Sequence, residues 1–151
     1  MPLINYKASN VRGLVKNNDE LEVLIDEDFL PYADLINVTA KKYGFMAIVT
    51  SAKRESTNVQ GAIVEPAKMG CHLIGHALDL NFIHLVSKEY WNSKKLEEPI
   101  GNMKSFIDEV KAGGVRWGGD FKIIDSVHFD SGLNIRSPKV YQKKYKEYFP
   151  N

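Results

Sequence analysis

Histidines and carboxylates in two short runs are the side chains of this sequence best suited to chemistry. The first run is His72-Leu73-Ile74-Gly75-His76-Ala77-Leu78-Asp79, with His84 a little further on. The second is Asp125-Ser126-Val127-His128. Two imidazoles and one carboxylate, with a fourth position left open, make a catalytic zinc site. Zinc suits such a set because it takes nitrogen and oxygen ligands tetrahedrally and lowers the pKa of a bound water to about 7. His72 and His76 are four apart, the spacing of an H-E-x-x-H helix. Leu73 stands where that motif needs its glutamate, and Gly75 weakens a helix, so that reading is rejected. The better arrangement puts His72 at the end of a loop and lets Gly75 bend the chain into a strand carrying Asp79. His128 then comes from a neighbouring strand, and Asp125, three residues earlier, is placed to hold a bound water. Spacing alone leaves a second reading open, in which His72 and His128 are exposed polar residues and Asp79 caps a turn.

The elements that must position these residues follow from apolar spacing. Residues 31–43 are expected to form a helix, with Pro31 in its first turn, Tyr32, Leu35, Ile36 and Tyr43 on one face, and Gly44 ending it. Residues 45–50 (FMAIVT) read as a buried strand. Residues 51–71 read as a long polar loop, and loops beyond ~12–15 residues are usually functional or mobile. Residues 77–83 alternate, with Leu78, Leu80 and Phe82 on one face and Asp79 on the other. Residues 103–112 form a helix with Phe106, Ile107 and Val110 inward, stopped by Gly113. Residues 121–124 and 127–129 are expected as a strand pair or one kinked strand. Residues 137–148 make a last helix with Ser137 as N-cap, Pro138 at its first position and a solvated lysine face. The stretch 10–28 has no clear period. Helices and strands alternate without a strict βαβ rhythm, which favours an α+β fold.

With 151 residues, 44% hydrophobic and 26% charged, the chain reads as one soluble globular domain, 1–151. A chain of this size buries roughly 70% of its unfolded surface, enough for a core without staples. A net charge of +1 gives no electrostatic case for nucleic acid or a polybasic membrane contact. No stretch approaches the ~20 apolar residues of a membrane span. Residues 1–11 lack an apolar signal-peptide core, so the chain is expected to stay in the cytoplasm until something releases it. The single cysteine, Cys71, cannot form an intrachain disulfide.

Three pieces together carry a family resemblance: Thr50-Ser51-Ala52-Lys53-Arg54, the H-x-x-G-x-A-x-D run from His72 to Asp79, and Trp117-Gly118-Gly119-Asp120-Phe121 leading to Asp125-x-x-His128-Phe129. In order and spacing they resemble the zinc D,D-carboxypeptidase and L-alanyl-D-glutamate peptidase family, the VanY-type enzymes and related phage endolysins. The resemblance covers roughly residues 45–130. It implies a small α+β domain with a central antiparallel sheet flanked by helices. It makes His72, Asp79 and His128 the zinc ligands, Asp125 the acid that activates the water, and Arg54 the group that stabilises the oxyanion or holds substrate. The family usually has Ser two positions before its first histidine ligand; this sequence has Gly70 there, followed by Cys71.

The resemblance implies hydrolysis of the peptidoglycan stem peptide by a monomer. L-Ala–D-Glu is the first choice of bond, as in endolysins held in the host cytoplasm until release. A D-Ala–D-Ala carboxypeptidase, a zinc-containing wall-binding module without catalysis, and a structural phage component are the alternatives. Of the remaining residues, Cys71 is expected as a small apolar filler. His76 is a second-shell or strand-edge residue and the substitute ligand, and His84 is structural. Glu55 and Glu65 are read as solvated loop residues, with substrate contact as the alternative. Trp117 and Phe121 either line the cleft or pack beneath the Gly118-Gly119 turn, which Asp120 caps.

Overall fold

In the computed structural model, the residues described are 3–8, 10–13, 22–54 and 70–150. The strands are β1 (Leu3–Asn5), β2 (Val11–Gly13), β3 (Leu24–Asp26), β4 (Phe45–Ser51), β5 (Ala77–His84), β6 (Tyr90–Trp91), β7 (Arg116–Trp117) and β8 (His128–Asp130). The α-helices are α1 (Leu30–Lys42), α2 (Ser93–Leu96), α3 (Gly101–Ala112), α4 (Leu133–Arg136) and α5 (Pro138–Tyr148). Short 3-10 turns at Cys71–Ile74 and Gly118–Asp120 hold two of the motifs. The α+β reading is therefore met, with helices flanking a central sheet.

The sheet runs β2-β4-β5-β8-β7, with β6 on the far end of β5. It is mixed rather than wholly antiparallel, because β2 pairs parallel to β4 with Val11 opposite Ala47. β1 and β3 form a separate antiparallel ribbon. The expected strand at 121–124 does not form. The Asp125 N–H returns to the Gly118 carbonyl at 2.9 Å, which closes the segment into a loop and leaves it no strand to pair with. Ile123 and Ile124 are exposed there at 71% and 49%.

Alternation along β5 works as expected. Leu78, Leu80 and Phe82 are fully buried and join Phe45, Phe106 and Phe129 in a continuous core. The Phe82 ring lies 5.1 Å from Phe106 and 6.0 Å from Phe129, both edge-on, an arrangement worth ~0.5–1.5 kcal/mol per pair beyond burial. This cluster seats β5 and β8 on α3, and so fixes the strand pair that carries the site. α1 packs on β4 and α3 through Ala33, Ile36 and Ala40, with Tyr32, Leu35 and Tyr43 at the margin. Gly44, at φ +83°, ends α1.

At the other end, α5 clasps the ribbon. Pro138 opens the helix as expected, but Ser137 makes no side-chain cap bond. One lysine leaves the expected solvated face: Lys144 is 2% exposed, its ammonium 3.0 Å from Asp26 and 2.7 Å from Asp28. Asp26 also accepts from the Tyr148 hydroxyl at 2.5 Å and from His76 Nε2 at 3.1 Å. Burial alone would raise its pKa, yet these donors outweigh it and hold the carboxyl well below the usual range.

Candidate metal centre

His72 lies in the 3-10 turn Cys71–Ile74, and Gly75 follows at φ +73°. That left-handed residue turns the chain into β5, as the sequence suggested. A Cβ at position 75 would sit 2.5 Å from the Asp26 backbone nitrogen, so glycine is needed for space as well as for angle. The end of β4 is zipped to this turn. The Arg54 N–H reaches the His72 carbonyl at 2.9 Å, and His72 Nδ1 donates to the Ala52 carbonyl at 2.7 Å. Since a carbonyl only accepts, Nδ1 carries a proton, and Nε2 is the ring nitrogen turned towards Asp79.

His128 arrives from β8, where it stands directly opposite Asp79 of β5. Opposed residues share a sheet face, so both leave the core face held by Leu78 and Phe129. The Trp117-Gly118-Gly119-Asp120 run explains how the approach to β8 is held. Trp117 lies against its own loop and donates Nε1–H to the Ser126 carbonyl at 2.7 Å. A Cβ on Gly119 would fall 2.1 Å from that indole, and one on Gly118 would fall 2.1 Å from the Asp125 carbonyl oxygen. Trp117 thus packs beneath the turn. Asp120 is not its cap; its carboxylate pairs with Lys111 at 2.6 Å.

The result is a convergent donor set. His72 Nε2 is 3.0 Å from Asp79 Oδ1, and His128 Nδ1 is 3.5 Å from the same oxygen. One ligand atom from each of His72, Asp79 and His128 lies within 4.8 Å of the others. Ligands about 2.0–2.1 Å from a tetrahedral zinc stand roughly 3.3 Å apart, so the spacing and the N,N,O chemistry fit that ion. All three residues are buried, His72 and His128 at 5% and 7% exposure, which removes the reading of them as exposed polar side chains. The second nitrogen of each ring is already engaged, as metal-binding imidazoles require. His128 Nε2 donates to Asp130 Oδ2 at 2.5 Å.

The remaining site residues ring this cluster. Arg54 donates from Nη2 to Asp79 Oδ2 at 2.8 Å and from Nε to Ser51 Oγ at 3.0 Å. Asp79 is thereby shared, one oxygen to each side. Burial would raise its pKa, but His72 and His128 outweigh it and the carboxyl stays ionised far below the usual range. Asp125 reaches within 3.9 Å of His128 Nδ1. Its pKa is raised, by burial first and then by the Asp79 carboxylate.

His76 stands apart. Its Nε2 donates to Asp26, and its Nδ1 accepts from Ser131 Oγ at 2.9 Å, so both nitrogens are spent on structure. His84 packs edge-on against Phe45, with Nδ1 accepting from the backbone of Val86 and Ser87. Cys71 is 1% exposed and burial pushes its thiol up to about 12, consistent with an inert filler. Glu55 and Glu65 lie outside the described residues, as does 55–69 of the expected loop. Two neighbours of the site, Asp130 and Arg116, were not legible as such in the sequence. Both sit on the site face by strand register, with Arg116 and Ala77 on either side of Asp130.

Known proteins bear on this geometry. The sequence model of a family described as D-alanyl-D-alanine carboxypeptidase matches residues 65–131, which contain His72, Asp79, Asp125 and His128. The resemblance to the zinc D,D-carboxypeptidase family is thus matched over the stretch that holds His72, Asp79, Asp125 and His128, though not over Thr50–Arg54, and it supports a metallopeptidase. No curated protein matches the chain significantly. Among the described residues no helix is long and apolar enough to cross a membrane.

Proposed function

We propose that this chain is a zinc-dependent peptidase that hydrolyses a stem-peptide bond of peptidoglycan, with L-Ala–D-Glu as the bond cut. The observation that carries the reading is the convergence of His72 Nε2, Asp79 Oδ1 and His128 Nδ1 beside Asp125 and Arg54. His72, Asp79 and His128 would hold the metal. Zinc, when bound, supplies a Lewis acid for the scissile carbonyl and makes water a nucleophile near neutral pH. Asp125 takes the proton that the water gives up and passes it to the leaving amine. Burial and the Asp79 carboxylate raise its pKa in the metal-free site; a bound dication would oppose them and keep the carboxyl ionised until it accepts that proton. Arg54 orients Asp79 through Oδ2 and offers a fixed positive charge to the oxygen that becomes negative, or to a substrate carboxylate.

The choice of bond follows the endolysins of the family that the three motifs resemble; the motifs themselves are common to its endolysins and its carboxypeptidases. A second reading, removal of a terminal D-Ala, is favoured by the description of the family that matches residues 65–131. Digestion of purified muropeptides, with and without chelator, followed by mass spectrometry, separates the two. Peptides shortened at L-Ala–D-Glu in a metal-dependent way are expected. Release of D-Ala alone would move the assignment to the carboxypeptidase. No cleavage by zinc-loaded protein would leave a wall-binding module.

A further inference from the structure

His128 is held by more than its own strand. Its Nε2 donates to Asp130, a fully buried carboxylate with both oxygens in use. Oδ1 accepts from Arg116 Nε at 2.9 Å and from the Gly132 N–H at 2.7 Å. Oδ2 accepts from Arg116 Nη2 at 2.8 Å as well as from His128. The guanidinium therefore meets Asp130 fork to fork, and Nη2 also touches Asn134 Oδ1 at 3.3 Å. The same cation lies over the Phe121 ring, its Cζ 4.8 Å from the ring centre. Phe121 in turn packs on His128, ring centres 5.4 Å apart and tilted by 53°.

From this geometry, and resting on the metal-site reading above, we infer that Arg116 is a positioning residue that fixes the His128 ring from two directions. Through Asp130 it anchors the ring edge that bears Nε2, which sets the tautomer and leaves Nδ1 as the donor atom. Through Phe121 it anchors the flank of the ring, which resists rotation about the bond to Cβ. Both anchors depend on a guanidinium that bonds Asp130 through two nitrogens while its charge lies over Phe121. A lysine has one point charge and no planar fork, so Arg116→Lys keeps the charge but loses the two-nitrogen grip on Asp130.

The test is metal affinity and metal geometry in the full chain. Zinc affinity would be measured by competition with a chromophoric chelator, and site geometry by the visible bands of cobalt-loaded protein. Partners of metal-binding histidines typically change affinity by about 10–100-fold, and a loss of that size is expected for Arg116→Ala. Arg116→Lys should show a smaller loss in the same direction and altered cobalt bands, with far-UV circular dichroism and melting temperature close to the parent. A purely structural role would lower the melting temperature and leave the cobalt bands of the folded protein unchanged, which would overturn the inference. Parent-like zinc affinity in Arg116→Lys would also overturn it, and that variant decides the question if Arg116→Ala fails to fold. A parent protein that takes up neither metal would instead bring down the metal-site reading, and this inference with it.

Discussion

Replacing Gly118 with alanine tests how the second motif positions the site. Gly118 needs its missing side chain for space. An added Cβ would stand 2.9 Å from the His128 Cβ and 2.1 Å from the Asp125 carbonyl oxygen. Carbon atoms pack at about 3.5–4.0 Å, so the Asp125–His128 segment must retreat by on the order of 1 Å. That retreat strains the 2.9 Å bond from the Asp125 N–H to the Gly118 carbonyl and drags both Asp125 and the His128 ring. A misplacement of about 1 Å at reacting groups costs on the order of 100-fold in rate. Overpacking of this kind destabilises by about 1–3 kcal/mol, which a melt would register as a partial loss rather than unfolding. The assay is initial rate on purified muropeptides with excess zinc, alongside zinc affinity. Gly118→Ala should be folded, roughly 100-fold slower and weaker for zinc. Parent-like rate and affinity would show that the turn does not set the position of Asp125 and His128.

Other outcomes follow from the same geometry. His128→Ala should lose zinc and hydrolysis together, whereas His76→Ala should keep zinc and lower the melting temperature; equilibrium dialysis with metal analysis separates them. Asp125→Asn should keep zinc but lose about 100–10,000-fold in rate, as removal of a general base does, and a near-parent rate would mean that another group takes the proton. Asp26 has a folded-state pKa below its unfolded value of about 3.9, so its contribution is present above that pH and is lost as pH falls towards the folded value. Urea melts from neutral to acid pH should therefore show a fall in stability that Asp26→Asn flattens. Cys71 should react with a thiol reagent only on unfolding, because it is buried and its thiol remains protonated.

The residues that converge at the centre were legible one by one. His72, Asp79, Asp125, His128 and Arg54 stand in the motifs that singled them out, and Gly75 marks the bend that follows His72. Alternation along 77–83 already turned Asp79 away from the leucines, because side-chain direction in a strand is a local property with a period of about two. Local pattern misled at 121–124, where Ile123 and Ile124 suit a strand but the bond from Asp125 to Gly118 closes a loop. What the tertiary structure alone decided is the register. Asp79 meets His128 only because β5 and β8 pair with those residues opposed, and Asp130 meets Arg116 only because β7 joins in step. The parallel pairing of β2 with β4 and the burial of Lys144 against Asp26, 118 positions away, are of the same kind. No spacing along the chain encodes such partners. Packing of Leu78, Phe82, Phe106 and Phe129 sets how the strands slide and stack, and a shift of one residue in β5 or β8 would have turned Asp79 or His128 into the core.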